Sequence, residues 1–364
     1  MKFIQTNRNL EYKNEIIEII NARKKEIFDF FYKEELKLNF NIYLYDTIEE
    51  LTREMKKRGF NDDPDYMCAC FKDEDNSLNL FEPKDNPNEQ EWTKEEYKTV
   101  IFHELIHAIT YSLYGTLPEW LCEGIAKYLD GTYSKGIKWL FENYIHKTLI
   151  PKQIEIENEF GKHNYDSYDY AYVMVSYLIE TLGQDRFNQM LEFKEILKQE
   201  SENLLLKAIC YYNIKYFGDF YYNQDLSEPQ WLFHGSPQKL EIVNTKLSHD
   251  SDNNLVNIDN AVFLTSSKEI ASAYAFKDSI KENSKGLKWN FVIEQQEKYP
   301  IMTMENVCVD DDIEGYIYIF VNDGSFVNEP IGSLQFKSFK NLKPANVIKI
   351  KYIDYKDKYK IISS

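Results

Sequence analysis

Residues 94–114, KEEYKTVIFHELIHAITYSLY, constrain the fold of this chain more than any other stretch. Thr93 with Glu96 three residues on is the start signal of a capped helix, and Gly115 is a stop, so the spacing predicts a helix from about 94 to 114. Most directions around it are apolar, through Val100, Ile101, Phe102, Leu105, Ile106, Ala108 and Ile109. Such a helix has to be enclosed by other elements. It nevertheless carries His103, Glu104 and His107, polar groups that a core tolerates only when hydrogen bonds or a metal satisfy them. At about 3.6 residues per turn, positions 103 and 107 lie one turn apart on nearly the same side, so both imidazoles can reach one ion.

A third donor follows. In LPEWLCEGIAKYL, Pro118 can open a second helix, and Glu123 falls on it sixteen residues after His107. A glutamate there can fold back as a ligand, and three protein ligands with a fourth position left open are the arrangement of catalytic rather than structural zinc. Glu119 is a competing acid, but its place directly after Pro118 suits a cap or a surface. HELIH followed by LPEWLCEGIA resembles the gluzincin metallopeptidases, over most of residues 35–220 and including the later YDYAYVMVSYLIETLG. That resemblance implies a thermolysin-like catalytic core, with His103, His107 and Glu123 as zinc ligands, Glu104 as general base, and a protein or peptide as substrate. A further donor to the developing oxyanion is expected, and Tyr168 and Tyr172 are the candidates. Metzincins are disfavoured, because Thr110 and Leu113 stand where that group carries a glycine and a third histidine. His146 and His163 read as surface histidines.

At 364 residues the chain is long enough for two domains. Its 28 Tyr, 23 Phe and 43% hydrophobic content suffice for two packed cores. Helical spacing over 9–31, an alternating strand at 38–46, a helix ending at Gly59 and two short strands about residues 73–77 precede the histidine helix. Further helical segments run to about 215, with DRFNQMLEFKEILKQ read as one of them. After 224–230 the texture changes to short apolar runs such as NAVFLTSS, WNFVIEQ, GYIYIFVND and NVIKIKYID. The expected class is α+β: a mostly helical metallopeptidase domain over 1–226 and a β-rich domain over 230–364.

Within the second part, LFHGSP at 232–237 and AVFLTSSKEIASAYA at 261–275 resemble the ADP-ribosyltransferase fold of the poly(ADP-ribose) polymerase type, over residues 230–352. The resemblance implies NAD as ligand. His234 would hydrogen-bond the ribose, Gly235 and Ser236 would lie beside the nicotinamide amide, and Tyr274 would stack on the ring. Two positions depart from that pattern. Phe263 replaces a tyrosine, and Gln335 stands where a glutamate is needed, with Glu329 a few residues earlier in an expected loop. Glutamine can hydrogen-bond but cannot act as a base.

The formal charge of −17 belongs to the first part: residues 1–229 hold 42 Asp and Glu against 27 Lys and Arg, whereas 230–364 hold 18 against 16. Such a field disfavours a nucleic-acid partner. No basic leader opens the chain and no run approaches the ~20 apolar residues of a membrane span, so a soluble, cytoplasmic protein without membrane contact is expected. The five scattered cysteines suit a reducing compartment rather than a disulfide frame. The leading expectation is a zinc-dependent peptidase fused to a module that binds NAD. Two rivals stand beside it: a mono-ADP-ribosyltransferase with a regulatory N-terminal domain, and a catalytically inactive protein-binding scaffold. Oligomeric state is not encoded in any of these patterns.

Overall fold

The computed structural model of the chain describes residues 2–5, 9–59, 69–83, 93–160, 167–221, 223–249, 255–283, 289–292, 301–304, 310–329 and 333–362. It divides into two compact units, Met1–Leu140 with Pro151–Ala208, and Phe141–Ile150 with Ile209–Ser364. Helix and sheet are both present, as the α+β class requires. Compactness changes at Ala208/Ile209, whereas composition changes at 224–230. The reason lies in the side chains between the two points. Gln224 accepts the N–H groups of Gln230 and Trp231 and donates to the carbonyls of Trp231 and Ser266, and the Lys268 ammonium donates to Asp219 and the Phe220 carbonyl. The segment is therefore stitched into the second unit.

In the first unit, β1 (Lys2–Gln5), β2 (Asn41–Tyr45), β3 (Cys70–Lys72) and β4 (Ser77–Phe81) form a sheet of order β1-β2-β4-β3. β1, β2 and β4 are parallel, and β3 returns antiparallel at the edge. Parallel neighbours need crossovers. α1 (Leu10–Phe30) and α2 (Ile48–Lys57) supply them, started by the side-chain caps Asn9 and Thr47. α3 (Lys94–Tyr114) packs against α1, β3 and β4 and against α4 (Glu119–Leu129), which explains its nearly all-apolar surface. Its capping box is formed as the sequence predicts: Glu96 N–H donates to Thr93 Oγ1 at 3.2 Å, and the Thr93 N–H donates to the Glu96 carboxylate at 2.9 Å. Gly115 at φ +71° ends it, a value that only glycine adopts freely.

The remaining helices are α5 (Gly136–Asn143), α6 (Gln153–Glu159), α7 (Ser167–Leu182), α8 (Gln184–Glu192), α9 (Lys194–Ser201) and α10 (Leu204–Phe217). The stretch read as one helix, DRFNQMLEFKEILKQ, breaks at Phe193, whose extended backbone separates α8 from α9. α4 rests on α7 at Gly124. A Cβ there would stand 2.5 Å from the Ala171 carbonyl oxygen, so the two helices can approach only because position 124 has no side chain.

The second unit is built on an antiparallel sheet of order β11-β12-β7-β5-β10-β13, with β6 also paired to β7. Its strands are β5 (Trp231–Ser236), β6 (Lys246–His249), β7 (Leu255–Thr265), β10 (Glu314–Val321), β11 (Val327–Asn328), β12 (Gln335–Ser338) and β13 (Asn346–Lys351). A smaller sheet joins β8 (Trp289–Val292), β9 (Ile301–Met304) and β14 (Lys360–Ile362). One face of the large sheet carries a core of Leu232, Val243, Val262, Leu264, Tyr318, Phe320 and Phe336. Against its other face lies α11 (Lys268–Asn283), admitted by Gly235 and Gly315. Cβ atoms at those two positions would fall within 3 Å of Ala271 and Ala275. Among the described residues no helix is long and apolar enough to cross a membrane.

Candidate metal centre

α3 presents His103 and His107 toward α4, and α4 presents Glu123 back toward them. The Nε2 atoms of the two histidines face each other at 3.1 Å; Glu123 Oε2 lies 3.2 Å from His103 Nε2 and Glu123 Oε1 lies 3.4 Å from His107 Nε2. Two imidazole nitrogens at that distance need a proton or a cation between them. A tetrahedron with zinc bonds of about 2.0–2.1 Å has edges near 3.3 Å, close to the Nε2–Nε2 separation and to the distance from each histidine to its own nearer Glu123 oxygen. The donor set of two imidazoles and one carboxylate therefore fits zinc. Among the described residues, this is the one group of His, Cys, Asp or Glu arranged to hold a metal ion.

Behind His103 stands Asp130, at the C-terminal cap of α4. Its Oδ2 accepts from His103 Nδ1 at 2.8 Å, and its Oδ1 accepts the Thr132 N–H at 2.7 Å. Its side chain is 1% exposed. In the neutral ring this bond places the proton on Nδ1 and leaves the Nε2 lone pair directed at Glu123 and His107, where it could ligate an ion. In the metal-free protein, burial works against the His103 imidazolium, but Asp130 and Glu123 outweigh it and push its pKa up to about 9. Burial alone would raise the Glu123 carboxyl, yet the two imidazoles hold it well below the usual carboxylate range. Cys122, beside Glu123, is pushed up to about 12 by burial and by that carboxylate, so it remains a neutral thiol and outside the ligand set.

Glu104 follows His103 on α3 and is turned about 100° from it around the axis. It is buried, and its Oε2 accepts the backbone N–H of Phe71 on β3 at 2.6 Å. The two tyrosine candidates separate. Tyr172 is stacked on Tyr133 with centroids 4.2 Å apart, and the Tyr133 hydroxyl donates to Asp169. Tyr168, 37% exposed, has the Lys127 ammonium 5.5 Å from its ring centroid. Lys127 sits on α4 one turn beyond Glu123 and pairs with Asp130 at 3.9 Å, so Tyr168 borders the ligand-bearing face of α4. His146, read as a surface histidine, is partly buried: its Nε2 bonds Asn213 Oδ1 at 2.8 Å and its ring packs among Phe141, Phe217 and Tyr221. His163 lies outside the described residues.

The family model of the Peptidase MA superfamily matches residues 69–217. The match supports a metallopeptidase domain and spans Phe71, His103, Glu104, His107, Glu123 and Asp130 as well as the two tyrosine candidates, Tyr168 and Tyr172. It stops before residue 230 and so carries nothing for the later motifs. No curated protein matches the sequence.

The residues singled out in the second unit are spread over both faces of the large sheet. His234 Nδ1 donates to the Phe263 carbonyl at 2.8 Å, and burial lowers its pKa, so the ring is neutral with Nε2 as an acceptor. Its register partner is Tyr318, on the core face. Gln335 pairs with Thr265, which pairs with Phe233, and that row lies on the opposite face together with Phe263. Gly235 is required by the approach of α11, Ser236 Oγ accepts the Gln238 N–H in a turn, and Tyr274 is a half-exposed residue of α11. Glu329 pairs with Lys337, which also pairs with Asp259.

Proposed function

We propose that the first unit is a zinc-dependent peptidase that hydrolyses peptide bonds of a protein substrate. The observation that carries this reading is the convergence of His103 Nε2, His107 Nε2 and the Glu123 carboxylate into a group that could hold one metal ion, with a buried carboxylate, Glu104, next to His103 on the same helix. Zinc held there supplies Lewis acidity toward the substrate carbonyl and makes a water acidic near pH ~7. Glu104 takes the proton of the attacking water and delivers it to the leaving amine. Asp130 holds the His103 ring in its ligating orientation. Tyr168 donates to the developing oxyanion, whereas Tyr172 serves as packing for Tyr133.

Glu104→Gln tests the reading with the wild-type fold in place. We expect zinc content to stay unchanged and cleavage of a quenched fluorescent peptide library to fall by about 10²–10⁴-fold. Undiminished cleavage would remove the proposed base. For residues 230–364 no observation favours an ADP-ribosyltransferase over a structural reading, because the register separates Gln335 from His234 and helix packing accounts for Gly235.

A further inference from the structure

Glu104 is held by a strand rather than by its own helix. In an antiparallel pair, residues alternate between those that exchange both backbone bonds and those that exchange none. Phe71, opposite Leu78, is of the second kind, since its N–H leaves the ladder and donates to Glu104 Oε2 at 2.6 Å. The β3–β4 hairpin that carries this amide is anchored on two sides. The Arg58 guanidinium, over the Tyr43 ring, donates to Asp75, to Ser77 Oγ at 2.9 Å and to Asn79 Oδ1 at 2.6 Å. The Thr116 hydroxyl, just after α3, donates to Asp73 at 3.2 Å, and the Phe71 ring packs on Tyr111 of α3.

We propose that the backbone amide of Phe71 is the positioning group of the catalytic carboxylate: it fixes Oε2 of Glu104 and leaves Oε1 as the atom that meets the attacking water. The inference rests on the reading of Glu104 as the base. A bond from N–H to a carboxylate is stronger than a neutral one, and a base displaced by about 1 Å loses on the order of 10²-fold in rate. Arg58 becomes a remote determinant of the same geometry through the hairpin.

Two experiments bear on it. Hydrogen exchange on the metal-free full chain reads the bond directly. In Glu104→Ala the Phe71 amide exchanges about ten- to a hundredfold faster than in wild type, while the ladder amides of β4 keep their protection. An unchanged Phe71 rate overturns the proposal. The second is kinetic. Phe71→Pro deletes the N–H without breaking a ladder bond, because that N–H faces outward on an edge strand. Its kcat on the peptide library falls on the order of 10–100-fold with zinc content and KM held within about twofold. Phe71→Ala, which keeps the amide and loses the ring, retains at least about tenfold more turnover than Phe71→Pro. Equal losses in the two variants assign the effect to ring packing and overturn the proposal. Failure of the peptidase reading looks different: Glu104→Gln then leaves cleavage intact, whatever the Phe71 amide does.

Discussion

His103 is gripped at both ring nitrogens, by Glu123 and His107 at Nε2 and by Asp130 at Nδ1, and the second grip has its own measurable consequence for the proposed metal site. Partners behind a ligating histidine are typically worth about 10–100-fold in metal affinity. Asp130→Ala is therefore expected to weaken zinc binding by that factor in competition with a chromophoric chelator, with the fold retained by circular dichroism. An affinity equal to wild type would make Asp130 a helix cap and no more. If Tyr168 is the oxyanion donor proposed above, Tyr168→Phe should lower kcat by about 10²–10³-fold without loss of zinc, whereas Tyr172→Phe should not. The juxtaposition of His103 and His107 was legible in the sequence because helical periodicity alone places one beside the other. Asp130 was not: an aspartate at the end of a helix reads as a cap until the ring opposite it is known. The Phe71 amide could not be read from side chains at all.

Among the elements, two close approaches carry most of the positional burden. Glu123 reaches the histidines because α4 lies on α7, and α4 lies there because residue 124 is glycine. Gly124→Ala puts a methyl group 2.5 Å from the Ala171 carbonyl oxygen and is expected to destabilise the first unit by about 1–3 kcal/mol, seen as a lower Tm and a weaker zinc affinity. An unchanged Tm would show that α4 and α7 can part without cost. The strong local signals were legible: the capping box and glycine stop of α3, the hairpin about residues 73–77, the texture change after 224. Weaker ones were not. β1 is four residues long and exists by pairing with β2, and the α8–α9 break leaves the apolar spacing on both sides intact. In the second unit the motifs around His234 and Gln335 carried no information about sheet register, and register is what sends their side chains to opposite faces.

For the whole molecule, the centre couples protons to stability, and on the proposed reading it couples them to a metal as well. His103 rises from its ordinary 6.5 to about 9 in the metal-free fold, so its contribution is fully present below 6.5 and is lost as pH climbs through 9. Glu123 is depressed from 4.5, so its contribution is present above that value and fades as pH falls through its folded pKa. Between those limits the metal-free protein gains most from this pair. On the proposed reading zinc would have to displace the proton of His103, so its stabilisation would grow with pH toward 9 and amount to about 4 kcal/mol at a thousandfold excess over Kd. Melting curves with zinc and with chelator, taken from pH 5 to 9, should diverge as pH rises; parallel curves would contradict a metal bound through His103. The most direct test of the central claim is an anomalous difference map at the zinc absorption edge from crystals of the full chain grown with zinc. We predict one strong peak bonded to His103 Nε2, His107 Nε2 and a Glu123 oxygen; a map with no peak between those three side chains would contradict the account.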